Sequence, residues 1–424
     1  MNEETKDGQS VRWYDVGGQS GLAVLAFFLP ISIAVGNAGW GIALLFFLIK
    51  AVAERKTFSW KKTGLEGPVA LYLGVTLLTC LTASSMSVSL KHLDSELLLV
   101  IFFLAAQFQD GRQAERHLKV FLAGAAVAAA LGVFQSLSGA YWDVLANQLF
   151  GPPWIQRLPL SVGRKLSQWN WRSTGFFNHP LTYAEVLLMA FAVFFGRVFS
   201  TKRMVGYVLY GLSLTLVTGA VIASQSRGVW IAMAALLFLW SVVKKQRKLF
   251  YAILIMGTAG LVAIVTTPKY SDRLESVYMI THPSNAIRLG LWYTAAKNIG
   301  KTPVLGVGIG NVHTRVDDRF LVPEPNKDWS ELHNIFLQAF AEKGFVGLLA
   351  FLYLLYGIGR SLWVPGMKAR YAGLFFGFAG LMLAGLTESW YNDSEVVMTL
   401  FFLAGCATAI RRSMTEGDHA GVPT

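Results

Sequence analysis

One histidine stands where a polar segment becomes a long apolar one, a position suited to acid–base chemistry at a membrane surface. His333 lies in the segment DWSELHNIFLQAF. Asp328 or Ser330 is expected to cap the following helix, which would leave His333 in its first or second turn. The positive end of a helix dipole disfavours a charged imidazole, and a neutral imidazole can act as a general base. The alternative is a histidine that is hydrogen-bonded for structural reasons.

Arginines form a second group of candidates, because a guanidinium group can bind two phosphate oxygens at once. Arg227 lies in ASQSRGVW, a very short turn between two apolar runs. A charge in such a place is costly unless it is paired or faces a polar cavity. Arg288 and Arg273 lie in a longer polar segment and are candidates for the same anion, whereas Arg164 lies in another, tryptophan-rich segment. For each of these three, a solvated charge is the alternative.

The composition explains why these residues are expected at a membrane. The chain has 424 residues, of which 54% are hydrophobic and 15% are charged, whereas soluble domains carry roughly 25% charged residues. An ordinary water-soluble enzyme is therefore not expected. The two cysteines, Cys80 and Cys406, both lie in apolar runs, so neither a disulfide framework nor a metal site is predicted. We expect no cofactor.

About twelve apolar runs approach the length of roughly 17–25 residues that a membrane-spanning helix needs. The predicted spans are residues 21–36, 38–53, 67–84, 95–109, 118–136, 181–197, 204–223, 228–243, 249–266, 333–359, 371–387 and 395–410. The sequence therefore predicts an all-α integral membrane protein with residues 1–424 in a single polytopic domain. The first 20 residues are polar and lack a basic region and a cleavage site, so no signal peptide is expected.

Basic residues gather in every second loop, as in the segment KKQRK at 244–248. By the positive-inside rule these loops and both termini are cytoplasmic. The predicted cytoplasmic segments hold 22 of the 37 lysines and arginines and 10 of the 25 acidic residues, which accounts for the whole net charge of +12. The charge therefore indicates orientation and needs no nucleic-acid partner.

The opposite loops carry the candidate residues. Two of them are long, 137–180 and 267–332. The first is rich in tryptophan, which suits either an aromatic belt at the membrane interface or the rim of a lipid-substrate site. In the second, Ser284 is expected to cap an amphipathic helix that runs to about Asn298. A short acidic loop that contains Glu388 either pairs with the arginines or is simply solvated.

A motif around His333 resembles a known signature. His333 and Asn334 are followed by nine residues and then by Gly344-Phe345-Val346-Gly347. This pattern resembles the H-[NSQ]-x9-G-x-x-G signature of the O-antigen ligase/polymerase superfamily of Gram-negative envelopes. The number of spans and the large loop before the histidine are also similar. Gly344 and Gly347 would then allow close helix packing beneath the histidine.

The resemblance implies a membrane glycosyltransferase with a GT-C-like architecture, situated in the bacterial inner membrane with its active site facing the periplasm. Its donor would be a glycan on undecaprenyl pyrophosphate and its acceptor the lipid A–core oligosaccharide, in lipopolysaccharide biosynthesis. His333 would be the general base, with Asn334 beside it. Arg227 and Arg288, and less strongly Arg164 and Arg273, would hold the pyrophosphate. Catalysis would be independent of metal and would invert the anomeric centre.

Three other functions stay open. Within the superfamily, the chain could be an O-antigen polymerase or a protein O-oligosaccharyltransferase, because the ligase is distinguished from them mainly by its length and its loops. From another class, it could be a transporter or flippase for the same lipid-linked glycan. Transporters place their polar residues near the middle of the membrane, whereas the candidates here gather at one surface.

Overall fold

Helices make up most of the described chain. The computed structural model describes residues 12–138, 172–245, 279–315, 328–364 and 369–416, with the single residues 251, 258 and 266. The helices are α1 (Trp13–Phe28), α2 (Ile33–Ala53), α3 (Glu66–Leu81), α4 (Met86–Lys91), α5 (Val100–Phe108), α6 (Gly111–Ser138), α7 (Pro180–Val198), α8 (Met204–Ala223), α9 (Arg227–Val243), α10 (Pro283–Ile299), α11 (Ile335–Leu362), α12 (Ala369–Ala384) and α13 (Ser394–Thr415). Two 3-10 helices span His92–Leu99 and Trp390–Asn392, and the strands β1 (Thr314–Arg315) and β2 (Asp328–Trp329) pair antiparallel.

The described helices have the length and composition of a multi-pass membrane protein. Six of them, α2, α6, α7, α8, α11 and α13, are long and apolar enough to cross a membrane, and α3, α9 and α12 are shorter apolar helices. Within the described ranges, helices overlap eleven of the twelve predicted spans. The twelfth, 249–266, lies almost entirely outside the described residues.

The first predicted span is misplaced. Instead of covering 21–36, α1 begins at Trp13 and ends at Phe28, because Pro30 has no N–H with which to continue a helix. Its start was missed because Asp15 is polar. The structure accommodates this charge by pairing its carboxylate with the ammonium group of Lys50 on α2 at 2.7 Å.

Helix α7 is the most deeply buried span, and it packs most extensively against α12. At their crossing, a Cβ atom on Gly373 would lie 2.2 Å from the carbonyl oxygen of Ala192. Only a glycine therefore allows the two backbones to approach this closely. The packed pair brings the start of α7 and the end of α12 to the same side of the molecule, where the candidate site lies.

Helix α11 is broken at Gly344, where φ is 65° and ψ is −167°. The segment LGVGIGN, residues 305–311, inserts into the break. Val307 and Gly308 donate backbone hydrogen bonds to the carbonyls of Ala341 and Glu342 at 3.0 and 2.8 Å. On the other side of the break, Phe345 donates to the carbonyl of Pro303 at 2.8 Å. The glycine-rich segment and the preceding Pro303 thus satisfy backbone groups that the break leaves without helical partners.

The signature glycines therefore contact a loop and a side chain where helix packing was expected. A Cβ atom on Gly344 would lie 2.2 Å from the carbonyl oxygen of Val304, and one on Gly347 would lie 2.0 Å from the Cβ atom of Lys343. The buried ammonium group of Lys343 lies 3.0 Å from a carboxylate oxygen of Glu96. These contacts join the upper part of α11 to the loop and to the 3-10 helix that carries Glu96.

Candidate functional site

His333 lies just before α11, in a backbone conformation that is rare for residues other than glycine. Its φ is 49°, in the left-handed region, which costs of the order of 1 kcal/mol or more. Asn334 caps the helix: its side-chain oxygen accepts hydrogen bonds from the N–H groups of Phe336 and Leu337, both at 3.0 Å. The prediction of a cap at Asp328 or Ser330, with His333 inside the helix, is therefore wrong. Asparagine is among the strongest N-cap residues. The helix therefore begins later than predicted, at Ile335.

The partner of His333 is a buried glutamate. The Nδ1 atom of His333 lies 3.3 Å from one carboxylate oxygen of Glu388, although the ring is not aligned for a hydrogen bond in this conformation. The other carboxylate oxygen pairs with the guanidinium group of Arg288. Burial raises the pKa of Glu388, but contact with His333 and the charge of Arg288 outweigh it, so the pKa lies below its usual value. Glu388 therefore carries a negative charge at neutral pH.

Two of the predicted arginines meet at one hydroxyl group. Arg288 donates to the Oγ atom of Ser284 at 2.7 Å, and Arg227 donates to the same atom at 3.0 Å. Arg288 also donates from Nε to the backbone carbonyl of Thr387 at 2.9 Å. Both guanidinium groups are thereby held in fixed positions, although their residues are 61 positions apart in the chain.

The role expected of Ser284 as a helix cap is taken by another residue. Helix α10 begins at Pro283, and the Nδ1 atom of His282 accepts a hydrogen bond from the N–H group of Ser284 at 3.3 Å. The hydroxyl of Ser284 is therefore available to the arginines. Ile287 and Leu291 pack into a small apolar cluster with the start of α11, which fixes α10 beside His333.

These side chains surround a cavity of about 340 Å³. Its lining comprises Arg172, Leu181, Gln225, Ser226, Arg227, Gly228, Ile231, Ser284, Asn285, Ile287, Arg288, Trp329, His333, Thr387 and Glu388. The described lining holds three arginines and one carboxylate, so the cavity has a positive charge and is suited to a multiply charged anion. Gln225 also has a left-handed φ, 54°. Backbone strain of this kind is concentrated at functional sites.

A second histidine near the cavity has a structural role. His179 immediately precedes α7, and its Nδ1 atom accepts a hydrogen bond from the N–H group of Leu181 at 3.3 Å. Burial, together with the charge of Arg172, lowers the pKa of His179 to about 4. This imidazole is therefore neutral at neutral pH and caps the helix.

A family model and several known proteins resemble part of this chain. Residues 211–352 match the family model described as O-antigen ligase. A protein of Rickettsia conorii, provisionally named a polysaccharide ligase, is 32% identical over 159 residues, which cover 35% of this chain and 38% of that protein. An O-antigen ligase of Salmonella typhimurium is 27% identical over 166 residues, covering 38% of this chain and 40% of the relative. The family model over residues 211–352 and the names of these relatives support the O-antigen ligase superfamily for this part of the chain.

The matches to the superfamily are partial. A protein of Rickettsia bellii, also provisionally named a polysaccharide ligase, is 26% identical over 221 residues, covering 50% of this chain and 53% of the relative. The chain thus spans about half or less of the length of these curated relatives. The superfamily segment 211–352 contains Arg227, Arg288 and His333, and it also contains the glycine-rich loop and the break in α11.

The structure brings only some of the predicted residues together. Arg227, Arg288 and His333 line one cavity. Arg164 and Arg273 lie outside the described residues. Sequence reasoning did not single out Arg172, and it left the role of Glu388 open. The one available signal for Glu388 was an acidic residue on the same predicted side of the membrane as the arginines.

Proposed function

We propose that the chain is an O-antigen ligase, which transfers a glycan from undecaprenyl pyrophosphate to the lipid A–core oligosaccharide. The observation that carries this proposal is the single cavity in which His333, backed by Glu388, faces the paired arginines Arg227 and Arg288. Such a cavity offers a base for the acceptor and fixed positive charge for a pyrophosphate leaving group. The superfamily match covers the elements that form most of it.

The arginines would act on the donor. Arg227 and Arg288 already converge on the hydroxyl of Ser284, so a pyrophosphate oxygen at that point would meet both of them. Arg172 adds a third cation to the lining, and Arg164 and Arg273 stay as weaker candidates. Charge develops on the pyrophosphate as its bond to the sugar breaks, and cations held in place before the reaction stabilise that charge most effectively. The proposal assigns this task to the arginines without a metal.

His333 would act on the acceptor. Because Nδ1 faces Glu388, Nε2 is the ring atom left to accept the proton of an acceptor hydroxyl. The hydroxyl oxygen bonds to the anomeric carbon while the bond from that carbon to the pyrophosphate oxygen breaks. The proton then resides on His333, and the carboxylate of Glu388 stabilises the imidazolium. A single displacement of this kind inverts the anomeric centre.

The proposed orientation places the cavity at the periplasmic face of the inner membrane, in a GT-C-like arrangement of twelve spans with both termini cytoplasmic. The cavity lies where α7, α9 and α11 begin and where α8 and α12 end. Basic residues mark the opposite ends of several of these helices: Arg197 on α7, Lys244 after α9 and Arg360 on α11. This distribution agrees with the positive-inside rule.

The function is tested by deleting the gene and separating the lipopolysaccharide on a gel. A ligase deletion is expected to leave bare core lipid while polymer accumulates on its lipid carrier. Cores that carry a single repeat would identify a polymerase, and the absence of glycan outside the inner membrane would identify a transporter. An unchanged lipopolysaccharide would exclude all three and favour a protein acceptor. Complementation with the wild-type gene is the control.

Replacing Glu388 with glutamine tests its role as a positioning residue. Since the substitution removes the negative charge that stabilises the imidazolium form of His333, we expect kcat to fall about 10- to 100-fold, which corresponds to about 1.4–2.7 kcal/mol of lost stabilisation. Steady-state transfer to lipid A–core measures the change. Glu395→Gln, in the same acidic region, is the matched control and should retain wild-type kcat. A rise in KM alone would contradict support of the base and leave only a contact with Arg288.

A further inference from the structure

A second cavity lies at the other end of α11, about 40 Å along the helix from His333 at 1.5 Å per residue. It has a volume of about 340 Å³ and is lined by Thr63, Gly64, Gly357, Arg360, Ser361 and Arg411. The ends of α3, α11 and α13 meet here. A Cβ atom on Gly357 would lie 2.6 Å from the side chain of Leu65, so the close approach of α3 and α11 closes one side of the cavity.

The lining is cationic and contains no carboxylate among the described residues. Arg411 is held in place, because its guanidinium donates to the backbone carbonyl of Arg360 at 2.7 Å. The side chain of Arg360 is exposed beside it. Glu66 is close in sequence, but its carboxylate accepts the N–H groups of Thr63 and Gly64, both at 2.8 Å. Two guanidinium groups therefore border one cavity, while the nearby carboxylate is engaged by the backbone.

The surroundings of the cavity are those of a membrane interface. On α11, Tyr356 is 64% exposed, and Trp363 just beyond the helix is 44% exposed. Aromatic rings of this kind sit at the level of lipid headgroups. In the orientation proposed from the charge distribution of the loops, this end of the bundle is cytoplasmic, where the leaflet is rich in anionic lipid. Apolar rings beside a cationic cavity match a molecule that carries both a phosphate and acyl chains.

We propose that this cavity binds the phosphate group of an anionic phospholipid from the cytoplasmic leaflet. Arg360 and Arg411 contact the phosphate oxygens. Tyr356 and Trp363 lie along the glycerol and the upper acyl chains. The site is separate from the cavity at His333 and does not depend on the transfer reaction.

The test measures binding to the purified full-length chain in detergent. The probes are short-chain phosphatidylglycerol, short-chain phosphatidylcholine, glycerol phosphate and inorganic phosphate. We expect phosphatidylglycerol to bind in preference to the other three. Arg360→Gln should weaken that binding about fivefold or more, as for the loss of one cation near an anionic headgroup. Arg411→Gln should weaken the binding of phosphatidylglycerol more than Arg360→Gln does.

Arg203→Gln is the matched control, because Arg203 is an exposed residue on the same predicted side of the membrane. It should leave binding of phosphatidylglycerol unchanged. Equal weakening by Arg203→Gln and Arg360→Gln would overturn the proposal in favour of diffuse attraction. Competition by inorganic phosphate as strong as that by the lipid would also overturn it, since the ligand would then be free phosphate. Because Arg360 is exposed, its variant should keep the wild-type melting temperature, and the result then reports on binding.

Discussion

Replacing His333 with alanine is expected to lower kcat for glycan transfer by about 100- to 10,000-fold, the contribution typical of a general base. No other described histidine lines the cavity, so the acceptor hydroxyl would have to lose its proton to water. The protein should still fold and insert, because alanine removes the ring without disturbing the cap that Asn334 provides. Purified protein, donor on undecaprenyl pyrophosphate and lipid A–core acceptor are sufficient for the measurement.

Two other variants serve as comparisons for His333→Ala. Arg227→Ala should raise the KM for the donor more than the KM for the acceptor, because Arg227 meets Arg288 at the proposed pyrophosphate position. His313→Ala removes an exposed histidine outside the cavity and should retain wild-type kinetics. The assignment of the base would be wrong if His333→Ala protein joined glycan to lipid A–core at near the wild-type rate.

The helices could be predicted from the sequence because membrane spans depend on apolar length, which a sequence shows directly. The errors in the predicted helix boundaries arise where a polar residue is paired with a residue on another helix. Asp15 interrupts an apolar run, yet its pairing with Lys50 lets α1 extend past it. Pro30 then ends the helix earlier than hydropathy suggests. A charge that is paired across two helices is not visible to a measure that scores residues one at a time.

Individual residues of the cavity could be predicted from local position, but their contacts could not. His333 and Arg227 were recognisable because each stands where a charge or an imidazole is unusual. The Glu388 carboxylate joins Arg288 and His333 across 100 and 55 residues of sequence, and no spacing rule encodes such a contact. The left-handed φ of His333 was equally hidden, because histidine at this position gives no local signal for it.

The signature glycine Gly344 also contributes to the relative positions of Arg288 and His333. The loop at 303–308 completes the backbone hydrogen bonds of α11 around Gly344. The segment between α10 and this loop is short, so the loop also fixes the end of α10. The inserted loop and the apolar cluster of Ile287 and Leu291 together hold Arg288 on α10 relative to His333 before α11. A change at Gly344 should consequently act on the fold first and on the site as a result.

Replacing Gly344 with alanine is expected to lower the free energy of unfolding by about 2–6 kcal/mol. Its φ of 65° with ψ of −167° belongs to a region that essentially only glycine occupies, and the new Cβ atom would lie 2.2 Å from the carbonyl oxygen of Val304. Both effects oppose insertion of the loop. The melting temperature of the purified protein in detergent measures the loss.

The matched control for this change is Gly74→Ala in α3. A Cβ atom at Gly74 meets nothing within 4 Å, and alanine is favoured over glycine in a helix by up to about 1 kcal/mol. Gly74→Ala should therefore keep or slightly raise the melting temperature. Equal melting temperatures for the two variants would mean that the loop can leave the break in α11 at little cost. In that case Gly344 would not be what holds Arg288 and His333 in register.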